Sequence, residues 1–290
     1  MTPRPTAQPL KLAIVNENNS WGGLEINLYK KALWMHQRGH AVLAIGRPGT
    51  PFFENCKQAG IPTAPWRNRL KYLDLPAAVQ LVRLLRRAKT RLVWFSLTRN
   101  TSAVTLAGSL APELRLVFLQ QMQLGVDKKG ALHTWQFRRM AAWVAPLPWL
   151  ARQVKERTHI APSKVVCIPL GIDVEQFALG DKDEARKELG LPIKVPIAGI
   201  VGRWDDGKGH LLLVEAIAAL AQRGIVLHGL FMGGAHDEKS RLYRQQVETR
   251  ITELGLKGQF HILEPRSDPW WPTVRWTSLP CAAWAKPMAW

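Results

Sequence analysis

The chain has 290 residues, enough for two modest domains, with 47% hydrophobic residues and a mean hydropathy of −0.12; no apolar run is long enough to span a bilayer, which fits a soluble globular protein. Its net charge of +18 is lopsided: residues 1 to 178 hold 25 Lys and Arg against 9 Asp and Glu, and residues 179 to 290 hold 15 against 13. Cys56, Cys167 and Cys281 are isolated and odd in number, with no Cys-x-x-Cys and no His-Glu-x-x-His, which argues against disulfides and structural zinc and for a reducing cytoplasm.

The opening MTPRPTAQPL is too polar and proline-rich for a secretory leader. Strands are predicted at residues 11 to 16, 41 to 46, 91 to 96, 114 to 120, 142 to 145 and 164 to 169. Helices lie between them, notably at 23 to 38, 76 to 88 and 147 to 158. Such alternation predicts a parallel sheet covered on both faces. A second series follows: helix 182 to 189, strand 195 to 201, helix 209 to 222, strand 226 to 232, helix 238 to 254 and strand 259 to 263. The junction is expected near Phe177 to Lys182, so the domains read as 1 to 178 and 179 to 264, with an aberrant tail at 265 to 290. A cleft between two such halves is the expected active site.

Several stretches carry candidate chemistry. Gly22 and Gly23 sit between the first strand and the first helix, where a missing Cβ lets backbone N–H groups approach a ligand. Residues 66 to 91, WRNRLKYLDLPAAVQLVRLLRRAKTR, are the most basic. On a helix Leu75, Val79, Val82 and Leu85 form one face, with Arg83, Arg86 and Arg87 turned away from it. The plain reading is a sheet-covering helix with a solvated basic side; the sharper one is docking on an anionic membrane, with Trp66 and Tyr72 at the interface. Residues 118 to 140 are polar, basic and aromatic, and would face the cleft; His133 lies there, a lone histidine near a helix start. In the second half, IAGIVGRWDDGKGHLLLVEAIAAL (197 to 220) runs as a strand up to Val201, breaks at Gly202, carries Arg203 and Lys208 on a loop, and becomes a helix. A strand that delivers basic side chains and a helix N-terminus to one point suits a diphosphate.

Together with IPLGIDVEQF at 168 to 177, this loop resembles the retaining glycosyltransferases of family 4, which have the GT-B fold and use sugar-nucleotide donors. The resemblance runs from about Lys11 to Leu263. It implies an α/β, GT-B-like chain of two Rossmann-like domains facing a cleft, the first on the acceptor side, the second binding the donor nucleotide and incomplete. It implies that Arg203 and Lys208 hold the donor's phosphates, and that the Gly22–Gly23 turn approaches them. Many relatives have a histidine where Gln120 and Gln121 stand, so no catalytic histidine carries over to that point, and His133 is left as a weak candidate for contact with a sugar. Enzymes of this kind need no protein nucleophile, since the leaving phosphate assists deprotonation of the acceptor. A nucleotide-sugar is then a substrate, and no cofactor or metal is expected.

The tail departs from the family. EPRSDPWWPTVRWTSLPCAAWAKPMAW has no periodicity, and five of the chain's 13 Trp fall in its last 21 residues. Relatives have there a hydrophobic-Asp-hydrophobic segment and then Glu-x-x-Gly. In a frame displaced by one base, the TGG codons force Val and Ala at Trp270-Trp271-Pro272, Asp at Trp276-Thr277 and Gly at Trp284-Ala285. Ala285-Lys286 then permits Glu, and Met288-Ala289 gives Gly. The hidden frame restores the missing motif in order and spacing, so a frameshift, genuine or a sequencing error, is inferred.

The expected function is transfer of a hexosyl-type sugar from a nucleotide-sugar donor to a cell-envelope or glycan acceptor, one linked to lipid included, with the truncated chain inactive as written. The expected place is the cytoplasm, peripheral at the inner face of the membrane, without nucleic acid as a partner. The alternative is a non-catalytic basic module that binds membrane or nucleic acid through residues 66 to 91. A dinucleotide oxidoreductase is disfavoured, because no Gly-x-Gly-x-x-Gly follows any predicted strand.

Overall fold

In a computed structural model, which describes residues 8–171, 181–235 and 237–264, the chain divides into two units, one running to Leu170 and the other starting at Gly171. The expected junction near residue 178 and the aberrant tail at 265 to 290 lie outside the described residues.

The first unit runs β1 (Lys11–Val15), α1 (Gly23–Gln37), β2 (Ala41–Gly46), α2 (Pro51–Gln58), β3 (Thr63–Pro65), α3 (Leu75–Arg87), β4 (Leu92–Phe95), α4 (Thr101–Leu110), β5 (Arg115–Leu119), α5 (Ala131–Arg139), β6 (Met140–Ala145), α6 (Pro148–Arg157) and β7 (Val165–Cys167). Its seven strands are all parallel, in the order β3-β2-β1-β4-β5-β6-β7. Chain order reverses between β1 and β4, so the crevice at their carboxyl ends is the switch point where open parallel sheets bind ligands.

Alternation along each strand splits the core in two. Ala13, Val15, Val93, Phe95, Leu116 and Phe118 pack under α3, α4 and α5. Leu12, Ile14, Val42 and Ala44 pack under α1 and α2. On that second face Trp94, Val117 and Val144 are only partly buried, and they border an apolar groove of ≈330 Å³.

Two expectations for the basic segment are corrected. Trp66 is not at an interface: it is 2% exposed and its Nε1–H donates to the Ala77 carbonyl at 2.8 Å. An indole that can satisfy its one donor inside the core has no reason to leave it. The buried stripe of α3 is Ala77, Ala78, Leu81, Val82 and Leu85, and Leu75, at the helix's first position, is 50% exposed. Arg83, Arg86 and Arg87 are exposed, as a sheet-covering helix requires, and Tyr72 is exposed too. Asp74 starts α3: its carboxylate accepts the N–H groups of Arg69, Leu70 and Ala77.

The second unit runs α7 (Lys182–Glu188), β8 (Ile197–Val201), α8 (His210–Ala221), β9 (His228–Met232), α9 (Glu238–Glu253) and β10 (Phe260–Leu263). Its three described strands are parallel, in the order β10-β9-β8. Val214, Ile217, Phe231, Val247 and Ile251 bind α8 and α9 to the sheet. Cys56 is buried, and burial pushes its thiol up to about 12; Cys167 is exposed. Among the described residues no helix is long and apolar enough to cross a membrane.

Candidate functional site

The loop that carries Arg203 and Lys208 is built by a close approach of two backbones. Gly202 follows β8 with φ 153°, and its N–H donates to Met232 at 2.9 Å. Gly233 follows β9, and a Cβ there would lie 1.8 Å from the Gly202 carbonyl oxygen, so only glycine fits. Trp204 is buried beneath the loop and donates Nε1–H to the Gly233 carbonyl at 2.9 Å. Its ring stacks on His210 at 4.6 Å, and the Arg244 guanidinium lies over it at 5.5 Å. Burial pulls the His210 imidazole down to about 4, against a hydrogen bond to the Asp205 backbone, so the ring is neutral at neutral pH.

With the indole anchored, the rest of the loop faces water. Arg203 and Lys208 are both exposed. The Asp205 carboxylate accepts Gly207 N–H at 2.9 Å, and Gly209, at φ 82°, starts α8 with no side chain capping its first turn. Gly209 brings no capping side chain, the Tyr243 hydroxyl lies by the N–H groups of His210 and Leu211, and two exposed cations stand beside this helix start. Arg203's positive charge also reaches Asp237, whose carboxyl is held below its usual range chiefly by hydrogen bonds from Ser240.

The first unit treats its glycine turn differently. Gly22 and Gly23 start α1, but Gly22 N–H donates to the Glu25 carboxylate at 3.0 Å. Glu25 is buried, and it also accepts Asn18 Nδ2–H. A Cβ on Gly23 would meet nothing within 4 Å and one on Gly22 only Glu25, so the turn is open in space while one of its donors is occupied. Gln120 is buried between Trp143 Nε1–H and the Met122 carbonyl. Gln121 donates to Leu24 in the first turn of α1.

His133 lies in the first turn of α5 and borders a cavity of ≈540 Å³ at the carboxyl ends of β4, β5 and β6. Burial, then the charge of Lys128, pushes its imidazole below its usual range. The wall behind it is Phe118, Phe137 and Trp143, with Trp143 centred 4.4 Å from Phe118 and 5.1 Å from Phe137. Arg69, Arg99 and Lys128 line the same cavity; the sequence does not mark them as a site, because they are scattered over three separate segments. Gly233 was missed too, although a Gly-Gly pair straight after the strand of residues 226 to 232 was a readable signal. Among the described residues no group of three His, Cys, Asp or Glu is placed to hold a metal ion.

The sequence profile of Glycosyltransferase Family 4 matches residues 21–176. The chain belongs to glycosyltransferase family 4. Relatives of this family 4 chain include D-inositol 3-phosphate glycosyltransferase of Corynebacterium glutamicum (strain R), 30% identical over 112 residues, 36% of this chain and 26% of that one. The same-named enzyme of Actinosynnema mirum is 42% identical over 62 residues, 21% of this chain and 15% of that one. The matched stretches thus span about a quarter or less of these relatives' own length. Among solved structures, a glycosyltransferase from Rickettsia africae superposes with a TM-score of 0.77 at 18% identity, covering 91% of this chain and 70% of that one. Anabaena Alr3699/HepE in complex with UDP gives 0.74 at 18%, covering 90% and 71%. Likeness at that identity shows the fold, an α/β GT-B-like architecture of Rossmann-like units.

Proposed function

We propose that this family 4 chain is built to move a sugar, with retention, from a nucleotide-sugar donor to a glycan or lipid-linked acceptor. The observation that carries the reading is the start of α8, which no carboxylate caps, with Arg203 and Lys208 on the loop that leads into it. A diphosphate bound there has backbone N–H donors on one side and two cations on the other. Charge that develops on the departing diphosphate is stabilised by groups already in place, and its oxygen accepts the proton of the attacking hydroxyl. No metal is needed for that step. The solved relative Alr3699/HepE was crystallised with UDP and with UDP-glucose, which supports a nucleotide-sugar as the donor class.

Calorimetric titration of the chain with UDP, GDP and NAD tests this. A nucleoside diphosphate should bind, and binding should weaken in Arg203→Ala; tighter binding of NAD than of either diphosphate would refute it. The out-of-frame tail belongs to the same proposal. The chain as written should transfer little or no sugar, and adding one base or removing two upstream of Trp270, either of which restores the hidden frame, should bring transfer back. Transfer by the unrepaired chain at a rate typical of the family would overturn the truncation argument.

A second reading concerns place. Arg83, Arg86 and Arg87 are exposed along α3, and Leu70, Tyr72 and Leu73 stand out from the loop before it, with Leu75 at the helix's first position. Basic side chains beside exposed apolar ones suit peripheral docking on an anionic membrane. Co-sedimentation with phosphatidylglycerol vesicles at two salt concentrations checks it: binding should fall at high salt and vanish when the three arginines become glutamine.

A further inference from the structure

The ≈540 Å³ cavity of the first unit gathers more positive than negative charge. Arg69, Lys71, Arg99 and Lys128 line it, and no carboxylate is among its described lining residues. Two nearby carboxylates are engaged elsewhere. Asp74 is bound to three backbone N–H groups, which, against its burial, hold its carboxyl below the usual range. Asp127 lies 4.0 Å from Lys129 and 3.9 Å from Arg157. Glu17 lies 3.9 Å from Arg99 and also accepts the Asn68 N–H at 2.8 Å, so among the described residues Arg99 is the one lining cation with a carboxylate partner. Among the described residues Arg69, Lys71 and Lys128 have no Asp or Glu oxygen within 4.0 Å of their charged groups.

Two further features favour an anion at the same place. Helix α5 opens there with no side chain capping its first turn, whereas α4 continues a 3-10 turn whose Thr98 carbonyl already takes the Thr101 N–H. The wall of Phe118, Phe137 and Trp143 offers a flat apolar surface to whatever the anion is attached to.

We infer that this cavity binds a phosphate ester, with Arg69, Arg99 and Lys128 taking the phosphate oxygens, so that the acceptor of the reaction is a phosphorylated molecule. The acceptor role rests on the transferase reading above; the anion site does not. Arginine can pair two oxygens of one phosphate, and that planar fork is lost in a glutamine.

The full chain, saturated with UDP, is titrated calorimetrically with glucose 6-phosphate, with glucose, and with vesicles containing phosphatidic acid. One of the two phosphate sources should bind while glucose does not. Arg69→Gln and Lys128→Gln should each weaken that binding about 10- to 100-fold and leave UDP affinity unchanged. Arg69 is exposed, so its substitution does not put folding at stake. Binding of glucose 6-phosphate assigns a soluble phosphorylated acceptor, and binding of vesicles alone a lipid phosphate. The site is overturned if neither source binds, if glucose binds as well as its phosphate, or if binding survives both substitutions. Loss of UDP binding with phosphate-ester binding retained would remove the donor reading and leave the anion site standing.

Discussion

Helices α1 and α8 both start at a glycine that follows a strand and its loop, and in sequence both look like places for a phosphate. They differ in what already holds the first turn. At α1 the Glu25 carboxylate occupies Gly22 N–H and places negative charge where an anion would sit. At α8 no carboxylate caps the turn; the neutral Tyr243 hydroxyl lies by its first N–H groups, and Lys208 and Arg203 stand on the preceding loop. A helix start favours an anion when no carboxylate already holds its first turn, and glycine alone does not guarantee that.

The largest effect should come from the support beneath the α8 loop. Trp204→Ala removes a buried indole that carries a hydrogen bond and three ring contacts, so it should cost the second unit about 3–5 kcal/mol. Amide hydrogen exchange in β8 and β9 reads the loss, and exchange in β1 and β4 should not change. Equal loss in both units would mean that the loop is not locally anchored.

The next effect is pH. His210 is neutral and buried, with its imidazole pulled down to about 4, while in the unfolded chain it titrates near 6.5. The unfolded state therefore binds more protons between those values. Stability is full above about pH 6.5 and falls as pH drops toward 4, by up to about 3 kcal/mol. His228 and His261, stacked across β9 and β10 with their rings 3.0 Å apart at the nitrogens, are lowered by burial and act in the same direction. Denaturant midpoints between pH 4 and 7 test the slope, which His210→Phe should flatten.

Smaller again is the donor contact. Arg203→Ala should weaken binding of a nucleoside diphosphate by about 1.5–3 kcal/mol, the range for a charge-assisted hydrogen bond. The smallest is the most direct test of the comparison. Glu25→Ala should destabilise the start of α1 by about 1 kcal/mol, as loss of a capping contact does, and leave diphosphate affinity within about threefold. A gain of tenfold or more would show that α1 is the phosphate site after all.

The sequence alone determined the class of fold. Short apolar strands alternating with amphipathic helices have few ways to bury both kinds of surface, and the predicted strands from Lys11 to Leu263 match the observed ones within a few residues. What it left out were short elements with weak patterns: α2, α4 and β3, where eight, ten and three residues give periodicity little room. It also misplaced Trp66, since composition shows an aromatic among basic residues but not that the Ala77 carbonyl waits for its N–H. The strand-loop-helix with Arg203 and Lys208 was legible because its parts are contiguous. The Gly202–Gly233 approach, the Glu25 bond to Gly22 and the cluster of Arg69, Arg99 and Lys128 were not. In the first and the last of these, residues far apart in the chain meet only because parallel strands carry their following loops to one edge of a sheet, and that is decided by tertiary structure.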